Sequence, residues 1–172
     1  EFYETDPSRG FKRGYTFQIG RGQGPAATAI GNAPWGAKHH EEFERNFGKN
    51  FGLGAIGDDL PEEINRVELD PKLTDRYGIP APKVIYRVGD NSKKMLAHAV
   101  KQAEKVLNKA GATNITRNPL STNTGWYLMG TARMGEDPSR SVVDNYGQAH
   151  DVDNLFIVDG SVFVTGGGVN PT

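Results

Sequence analysis

One long amphipathic helix is the feature that most constrains how this chain folds. Between Ser92 and Ala110, apolar residues recur at the i, i+3, i+4, i+7 spacing that places them on one helix face. Asn91 precedes the stretch as a candidate N-cap, and Gly111 follows it as a candidate C′ stop. The apolar face consists of Leu96, Ala99, Val100, Ala103, Val106, Leu107 and Ala110. The sequence therefore predicts a helix over 92–110.

Three segments have the pattern of β-strands. In RGYTFQI, residues 13–19, every second residue from Tyr15 onward is apolar, as in a half-buried strand. The segments RVELD at 66–70 and KVIYRV at 83–88 predict two further strands.

Glycine and proline divide the rest of the first 120 residues into short pieces, since the chain has 22 Gly and 10 Pro. Residues 20–35 are expected to form a long loop, and 70–82 a turn or loop. Between them, the spacing of Phe43 and Phe47 predicts a short helix from His39 to Phe47.

The composition changes toward the C-terminal end. From Gly125 onward, short apolar runs alternate with Gly, Asp and Asn, and the continuous run 155–158 is followed by Asp159-Gly160. Such a run is typical of a strand buried on both faces, and ligands of open α/β sheets bind beyond the carboxyl ends of such strands. We expect a domain boundary near residue 120.

Composition excludes several classes of site. The chain contains no cysteine, so disulfides, thiolate metal sites and cysteine nucleophiles are excluded within it. Its net charge of −1 gives no electrostatic case for nucleic acid or an anionic membrane. No apolar run approaches the length of a membrane span. The compartment, cytoplasmic or periplasmic, stays open.

Four histidines and one glycine cluster invite functional interpretations that the residues do not support. GRGQG at 20–24 departs from the dinucleotide-binding spacing, and PAATAIGNAP after it does not have the pattern of a helix that opens a βαβ unit. His39 and His40 are interpreted as capping or surface residues because no metal-ligand partner stands at i+4 spacing. For His98 and His150, a structural role is the preferred interpretation.

The chain ends on GGGVNPT, in which Asn170-Pro171 has the residues of a helix N-cap and first helical position. No helix follows, and Glu1 stands where an initiating Met is expected. We therefore expect a piece of a larger protein. A helix start at Asn170 offers free N–H groups and a positive dipole, which suit pyrophosphate or an electron-rich ring.

Four segments in fixed order carry a resemblance to the C-terminal region of the glucose–methanol–choline (GMC) flavin oxidoreductases. They are YLMGTARMG at 127–135, DPSRSVVD at 137–144, NLFIVDGS at 154–161 and GVNPT at 168–172. Residues 1–124 resemble more loosely the substrate domain of the gluconate-dehydrogenase-like bacterial branch, through DPSRGFKRGYT, DLPEEINRVELDP and DRYGIPAP.

The resemblance implies a mixed α+β and α/β fold, about the C-terminal third of a GMC enzyme. Residues 1–120 then form most of a substrate-binding domain, mainly antiparallel sheet with helices. Residues 121–172 form the C-terminal piece of a Rossmann-like FAD-binding domain and one wall of the active site. The resemblance implies FAD as cofactor, and we expect the 172 residues alone to bind it weakly or not at all, because the missing Rossmann half holds the dinucleotide.

The resemblance also implies site residues. Tyr127 and Asn170 stand at the positions of the catalytic pair. It implies that the cofactor is contacted by Asp159, Gly160, Asn170, Pro171 and Thr172. Because a carboxylate beside pyrophosphate is repulsive, we expect Asp159 to contact a ribityl hydroxyl or a backbone N–H. Gly130 and Thr131 are expected to shape the turn that places Tyr127, and Arg133 to anchor this loop through a carboxylate.

Tyr127 departs from the family pattern, which has His there. A phenol is protonated at neutral pH, whereas an imidazole is largely free to accept a proton. Tyr127 therefore donates a hydrogen bond readily but abstracts a proton poorly. Three explanations stay open: a replacement tuned by its surroundings, a weakened or non-catalytic relative, and an error in the sequence.

The resulting function hypothesis is an FAD-dependent oxidoreductase that oxidises a CH–OH group of a sugar, sugar acid or other polyol by hydride transfer. Oxygen, a quinone or a cytochrome subunit remains open as electron acceptor. The alternative is a GMC-like binding or scaffold protein that has lost the base.

Overall fold

A computed structural model of the chain describes residues 2–118, 120 and 127–167. In this part the fold is mixed α/β, with three α-helices and two antiparallel two-stranded sheets. In chain order the elements are β1 (Tyr15–Arg21), α1 (Pro25–Gly31), α2 (His39–Asn46), β2 (Phe51–Gly57), β3 (Arg66–Thr74), β4 (Pro80–Ile85) and α3 (Asp90–Lys109). Short 3₁₀ helices occupy Pro7–Arg9 and Gly160–Val162.

The predicted helix at 92–110 is confirmed as α3, which packs on β2. Its N-cap is Gly89, so the prediction of Asn91 is wrong: the Asn91 side chain accepts from Lys12 N at 2.7 Å and donates to Lys12 O at 3.0 Å. The Asn91 side chain therefore links the backbone of the N-terminal segment to α3 through two hydrogen bonds. Gly111 has a φ of +83°, the left-handed conformation expected of a C′ residue.

The first sheet pairs β1 with β2, from Tyr15 opposite Gly57 to Arg21 opposite Phe51. The strand predicted at 13–19 is confirmed, while β2 was not predicted because four of the seven residues in its FGLGAIG sequence are glycine or alanine. Tyr15 is fully buried, but Ile19 on the same face is exposed, so only the start of β1 enters the core.

The expected loop at 20–35 contains a helix, α1, and that prediction is wrong. Gly24 is its N-cap and Pro25 its first residue, where the fixed φ of proline is already helical and its missing N–H is not needed. The helix gives no βαβ unit, because β1 pairs antiparallel with β2. Helix α2 at His39–Asn46 confirms the prediction made there.

The second sheet pairs β3 with β4, and both strands extend into the 70–82 segment that was expected to be a turn or loop. The turn itself is held by Asp75, whose carboxylate accepts from Tyr77 N at 2.8 Å and Ile79 N at 3.0 Å. A register shift between Leu69 and Thr74 accommodates Pro71, and β4 carries Pro80 and Pro82. A bulge and an edge strand are where a sheet tolerates proline.

Buried side chains form two clusters, on either side of residue 120. The first joins the N-terminal segment, β1 and α3 through Phe11, Tyr15, Met95 and Ala99. The second consists of Val143, Ala149 and Val162, with Met134 and Ile157 packed against it.

The run 155–158 does not form the expected strand buried on both faces. Phe156 makes a single antiparallel bridge with Gln148, and Val158 is 85% exposed. Backbone bonds join the run to 147–149, and Ile157 packs on the second cluster, while Leu155, Phe156 and Val158 are exposed. A Rossmann-like sheet is likewise not seen in residues 127–167. Among the helices that the structure describes, none is long and apolar enough to cross a membrane.

Candidate active site

Backbone hydrogen bonds join the first and third of the four motif segments. Ala132 N donates to Ser161 O at 3.0 Å, and Met134 N donates to Val162 O at 2.9 Å. The GTARM stretch thus runs directly beside the residues that follow Asp159. Two stretches that lie about 30 residues apart in sequence are brought to one place.

The second motif segment lies on the other side of the first. Val142 N donates to Arg133 O and Gly135 N to Val143 O, both at 2.9 Å. Val143 is fully buried and bridges to Met134 and Ala149. Val143 belongs to the second apolar cluster, on which Met134 and Ile157 also pack, so the motif segments share one set of buried contacts.

Tyr127 has a backbone conformation that is unusual for its residue type. Its φ is +62°, in the left-handed region, and its side chain is partly exposed. A residue with a side chain pays on the order of 1–2 kcal/mol in this conformation, and glycine would relieve the strain. Conformational strain of this kind is concentrated at functional sites, which is consistent with the role expected of Tyr127.

Gly130 allows the loop that begins at Tyr127 to approach the 3₁₀ helix closely. Its φ is +82°, and a Cβ at this position would lie 3.2 Å from Phe163 O. Glycine is the residue that combines this conformation with this approach. The expectation that Gly130 shapes the turn agrees with this geometry.

Asp159 is the N-cap of the 3₁₀ helix that begins at Gly160. Its carboxylate accepts from Ser161 N at 2.8 Å, so the partner is a backbone N–H, one of the two expected for it. Hydrogen bonds from the Ser161 side chain and then from its backbone hold the pKa of Asp159 below its ordinary value. The carboxylate is therefore ionised at neutral pH.

An open groove of about 590 Å³ lies against Asp159 and Gly160. Its walls are mostly apolar and aromatic, and Tyr146 at its edge is 86% exposed. The lining residues are Met134, Asn145, Tyr146, Gly147, Ile157, Val158, Asp159, Gly160, Val162 and Phe163. A concave apolar surface with a few polar groups at its edge is the usual form of a cofactor or ligand site.

Two polar side chains hold the motif loops together. Arg133 Nε donates to Arg140 O at 2.6 Å, so Arg133 does anchor the loop, but through a backbone carbonyl in place of the expected carboxylate. His150 Nε2 lies 3.0 Å from both Gly135 O and Ser141 Oγ. These contacts support the structural interpretation of His150.

Two of the other three histidines, His98 and His39, also make structural contacts. His98 Nδ1 lies 2.7 Å from Tyr15 Oη, beside the first core cluster. His39 stacks on Trp35, and its Nδ1 lies 3.1 Å from Pro34 O. Within the described ranges, no group of three or more His, Asp or Glu side chains could hold a metal ion.

Asn170, Pro171 and Thr172 lie outside the described residues. The structure therefore brings together the segments of Tyr127, Asp159 and Gly160, and leaves the expected catalytic pair of Tyr127 and Asn170 as a prediction.

Residues 61–172 match the family described as GMC oxidoreductase. The chain belongs to the GMC oxidoreductase family. The resemblance found in the motifs is thereby confirmed.

Curated GMC relatives resemble the chain over most or all of its length. A 2-methyl-1,2-propanediol dehydrogenase of Mycolicibacterium austroafricanum is 42% identical over 179 residues, covering 100% of this chain and 32% of that protein. The fructose dehydrogenase large subunit of Gluconobacter japonicus is 34% identical, with 80% of this chain and 25% of that protein covered. For a gluconate 2-dehydrogenase flavoprotein of Pantoea cypripedii the identity is 28%, with coverages of 84% and 25%. The chain thus spans a third or less of the length of these relatives.

In this GMC chain, sequence reasoning missed two parts of the site region. Tyr146 and Phe163 line the groove, but neither has a sequence pattern that marks a groove wall: Tyr146 stands between Asn145 and Gly147, and Phe163 belongs to a short Val-Phe-Val run. Asp58 is a nearly buried carboxylate beside Gly166, and its only signal in the sequence is an Asp-Asp pair directly after an apolar strand.

Proposed function

We propose that this chain is part of an FAD-dependent oxidoreductase that oxidises a CH–OH group of a polyol, sugar or sugar acid. The observation that carries the proposal is the packing of the Tyr127 loop against the residues after Asp159, beside an apolar groove, in a chain of the GMC family. The names of the relatives, a diol dehydrogenase and two sugar or sugar-acid dehydrogenases, support the substrate class. A small vicinal diol is the first substrate to test, because the relative named for one has the highest of these identities.

The groove residues fit a flavin. Val158 and Phe163 offer apolar surface to a flat ring, while the ionised Asp159 lies at the same surface to accept from a hydroxyl. Gly147 lies so close to Ile157 O that a Cβ there would be only 2.8 Å away, so no side chain from position 147 occupies the groove. Asp159, Gly160, Asn170, Pro171 and Thr172 are proposed to hold the cofactor, which accepts the hydride when bound.

In the proposed reaction the chain's own residues orient the substrate hydroxyl. Asn170 is proposed to hydrogen-bond the hydroxyl oxygen through its amide. Tyr127, at the His position of the family pattern, is proposed to form the second contact, as a hydrogen-bond donor.

We also propose that residues 1–120 form a substrate-domain unit and residues 121–172 the C-terminal piece of the Rossmann-like domain. The two separate clusters of buried residues, one before and one after residue 120, support this division.

The test uses the full-length protein. We expect a yellow preparation whose flavin is bleached under anaerobic conditions by 2-methyl-1,2-propanediol or by a sugar or sugar acid. Flavin that stays oxidised with every polyol tested would refute the activity and favour the scaffold alternative.

Replacement of Tyr127 shows what this position does. If Tyr127 occupies the position of the base without its basicity, Tyr127→His raises the rate of flavin reduction by on the order of 10²- to 10⁴-fold. Tyr127→Phe is the matched control, since it keeps the ring and removes the hydroxyl. Equal rates in all three proteins would mean that the proton leaves by another route.

A further inference from the structure

Three segments of the chain meet at Asp58, the residue directly after β2. Asp58 is only 8% exposed, and its backbone N–H donates to Gly14 O at 3.0 Å. The carboxylate is thus held at the end of the β1–β2 sheet that also carries the buried Tyr15.

The first neighbour is Arg13. Its Nη1 lies 3.6 Å from Asp58 Oδ2, and its φ of +65° is a left-handed conformation that costs on the order of 1–2 kcal/mol. Burial raises the pKa of Asp58, and the Arg13 guanidinium opposes this. In this ion pair, Arg13 has the strained backbone and Asp58 has the nearly buried charge.

The other neighbours come from the C-terminal unit. A Cβ at Gly166 would lie 2.4 Å from Met129 Cε and 3.8 Å from Asp58 Oδ1. The backbone at Gly166 thus lies close to both Met129 and Asp58. Met129 stands two residues after Tyr127, and Gly166 stands four residues before Asn170.

Stability alone does not account for this arrangement. Removing a charge from water is costly, and replacing a buried ion pair by apolar residues is often neutral or stabilising. The Asp58 carboxylate is the less exposed partner, and moving it away from Arg13 would leave a nearly buried charge without its partner, so displacement of the surrounding backbone is opposed. Here the restrained surface is the contact between the Tyr127 loop and the glycine segment at 166–167.

We propose that Asp58, paired with Arg13, is a positioning residue that sets the relative placement of the Tyr127 loop and the glycine segment at 166–167. This inference rests on the proposed function, since it assigns Asp58 to the alignment of Tyr127 and Asn170, the two side chains proposed to contact the substrate hydroxyl. Asp58 acts through Met129 and Gly166 and need not touch the substrate.

The test compares variants of the full-length protein by anaerobic flavin reduction over a range of substrate concentrations. Because small misplacements of reacting groups cost up to about 10²-fold, Asp58→Asn should lower the limiting rate constant by about 10- to 100-fold. The apparent substrate Kd should change far less. Arg13→Gln should act in the same direction, and the double variant should be no slower than Asp58→Asn, since both break one contact.

Asp59→Asn is the matched control. Its carboxylate accepts from Tyr86 Oη at 2.7 Å and also bonds Ser92 Oγ, so it stabilises the fold away from the 166–167 segment. This variant should lose thermal stability while its limiting rate stays within about twofold of wild type, as expected for a residue with no role in alignment.

The outcomes separate the inference from the proposed function. A wild-type flavin that no alcohol reduces would overturn both. Reduction of wild type with an equally fast Asp58→Asn, or an equal loss of rate in Asp59→Asn, would overturn the role of Asp58 alone. If Asp58→Asn does not fold, Arg13→Gln gives the same comparison, because the Arg13 side chain is 41% exposed and its replacement disturbs the core less than a change at Asp58.

Discussion

Removing one hydroxyl from the core should destabilise the protein measurably. Tyr15 is fully buried, and its Oη lies 2.7 Å from His98 Nδ1, while Gln102 Nε2 lies 3.2 Å from His98 Nε2. Because the Gln102 amide nitrogen can only donate, His98 accepts at Nε2 and donates from Nδ1 to Tyr15 Oη. Tyr15→Phe keeps the ring, whose stacking on Phe2 has a centroid distance of 5.1 Å, and removes the acceptor.

The magnitude follows from this bonding pattern. A hydrogen bond contributes about 1 kcal/mol net, and a donor left without a partner in a partly buried position costs about 1 kcal/mol more. We therefore expect Tyr15→Phe to lower the free energy of unfolding by about 1–2 kcal/mol. Urea unfolding should show a lower midpoint with an unchanged m-value.

The control is Tyr3→Phe, which removes the same hydroxyl from an exposed tyrosine and should leave the midpoint unchanged. If Tyr15→Phe were as stable as Tyr3→Phe, the assignment of the His98 hydrogen bonds would be refuted.

The same contacts give a pH dependence with a definite sign. Burial, and then the nearby positive charge of Arg9, lower the pKa of His98 in the folded protein. The unfolded chain, with an ordinary histidine pKa near ~6.5, binds the proton more readily. The stabilisation is therefore complete above pH ~6.5 and is lost as the pH falls through the folded pKa. His98→Gln should have a shallower loss of stability on acidification, measured by the same urea midpoints.

Three further predictions concern residues with a left-handed backbone and the isolated chain. Gly147→Ala should lower the free energy of unfolding by about 2–4 kcal/mol, because its φ is +81° and the new Cβ would clash with Ile157 O. The control Gly78→Ala has the same left-handed backbone in open space and should cost only about 1 kcal/mol. Thermal unfolding of the two variants measures the difference. Tyr127→Gly should unfold with a free energy about 1 kcal/mol higher than Tyr127→Ala, since glycine relieves the left-handed strain, and equal values would argue against that conformation. The 172-residue chain alone should bind FAD weakly or not at all in equilibrium dialysis, and tight stoichiometric binding would contradict this.

Periodicity predicted the elements that have a strong local pattern. Helix α3 and the start of β1 were found because their apolar residues repeat with a clear period, and α2 because of Phe43 and Phe47. Strand β2 was missed because Gly52 and Gly54 interrupt its pattern. Its strand conformation comes from the pairing with β1, which is a tertiary contact.

The site was predictable only where motifs identify it. The motif segments gave Tyr127 and Asp159 their candidate roles, but the approach of Gly166 to Asp58 joins residues that lie more than 100 positions apart. No local pattern encodes such a contact. The apolar run at 155–158 predicted burial from composition, yet burial depends on neighbours that a local pattern does not specify.

The prolines of the β3–β4 hairpin bear on aggregation. Leu69, Leu73 and Val84 are exposed on this hairpin, which would otherwise invite growth into larger β-assemblies. Pro71, Pro80 and Pro82 remove amide donors that an incoming strand would need. A newly synthesised chain can therefore display this apolar surface with a lowered risk of seeding fibrils.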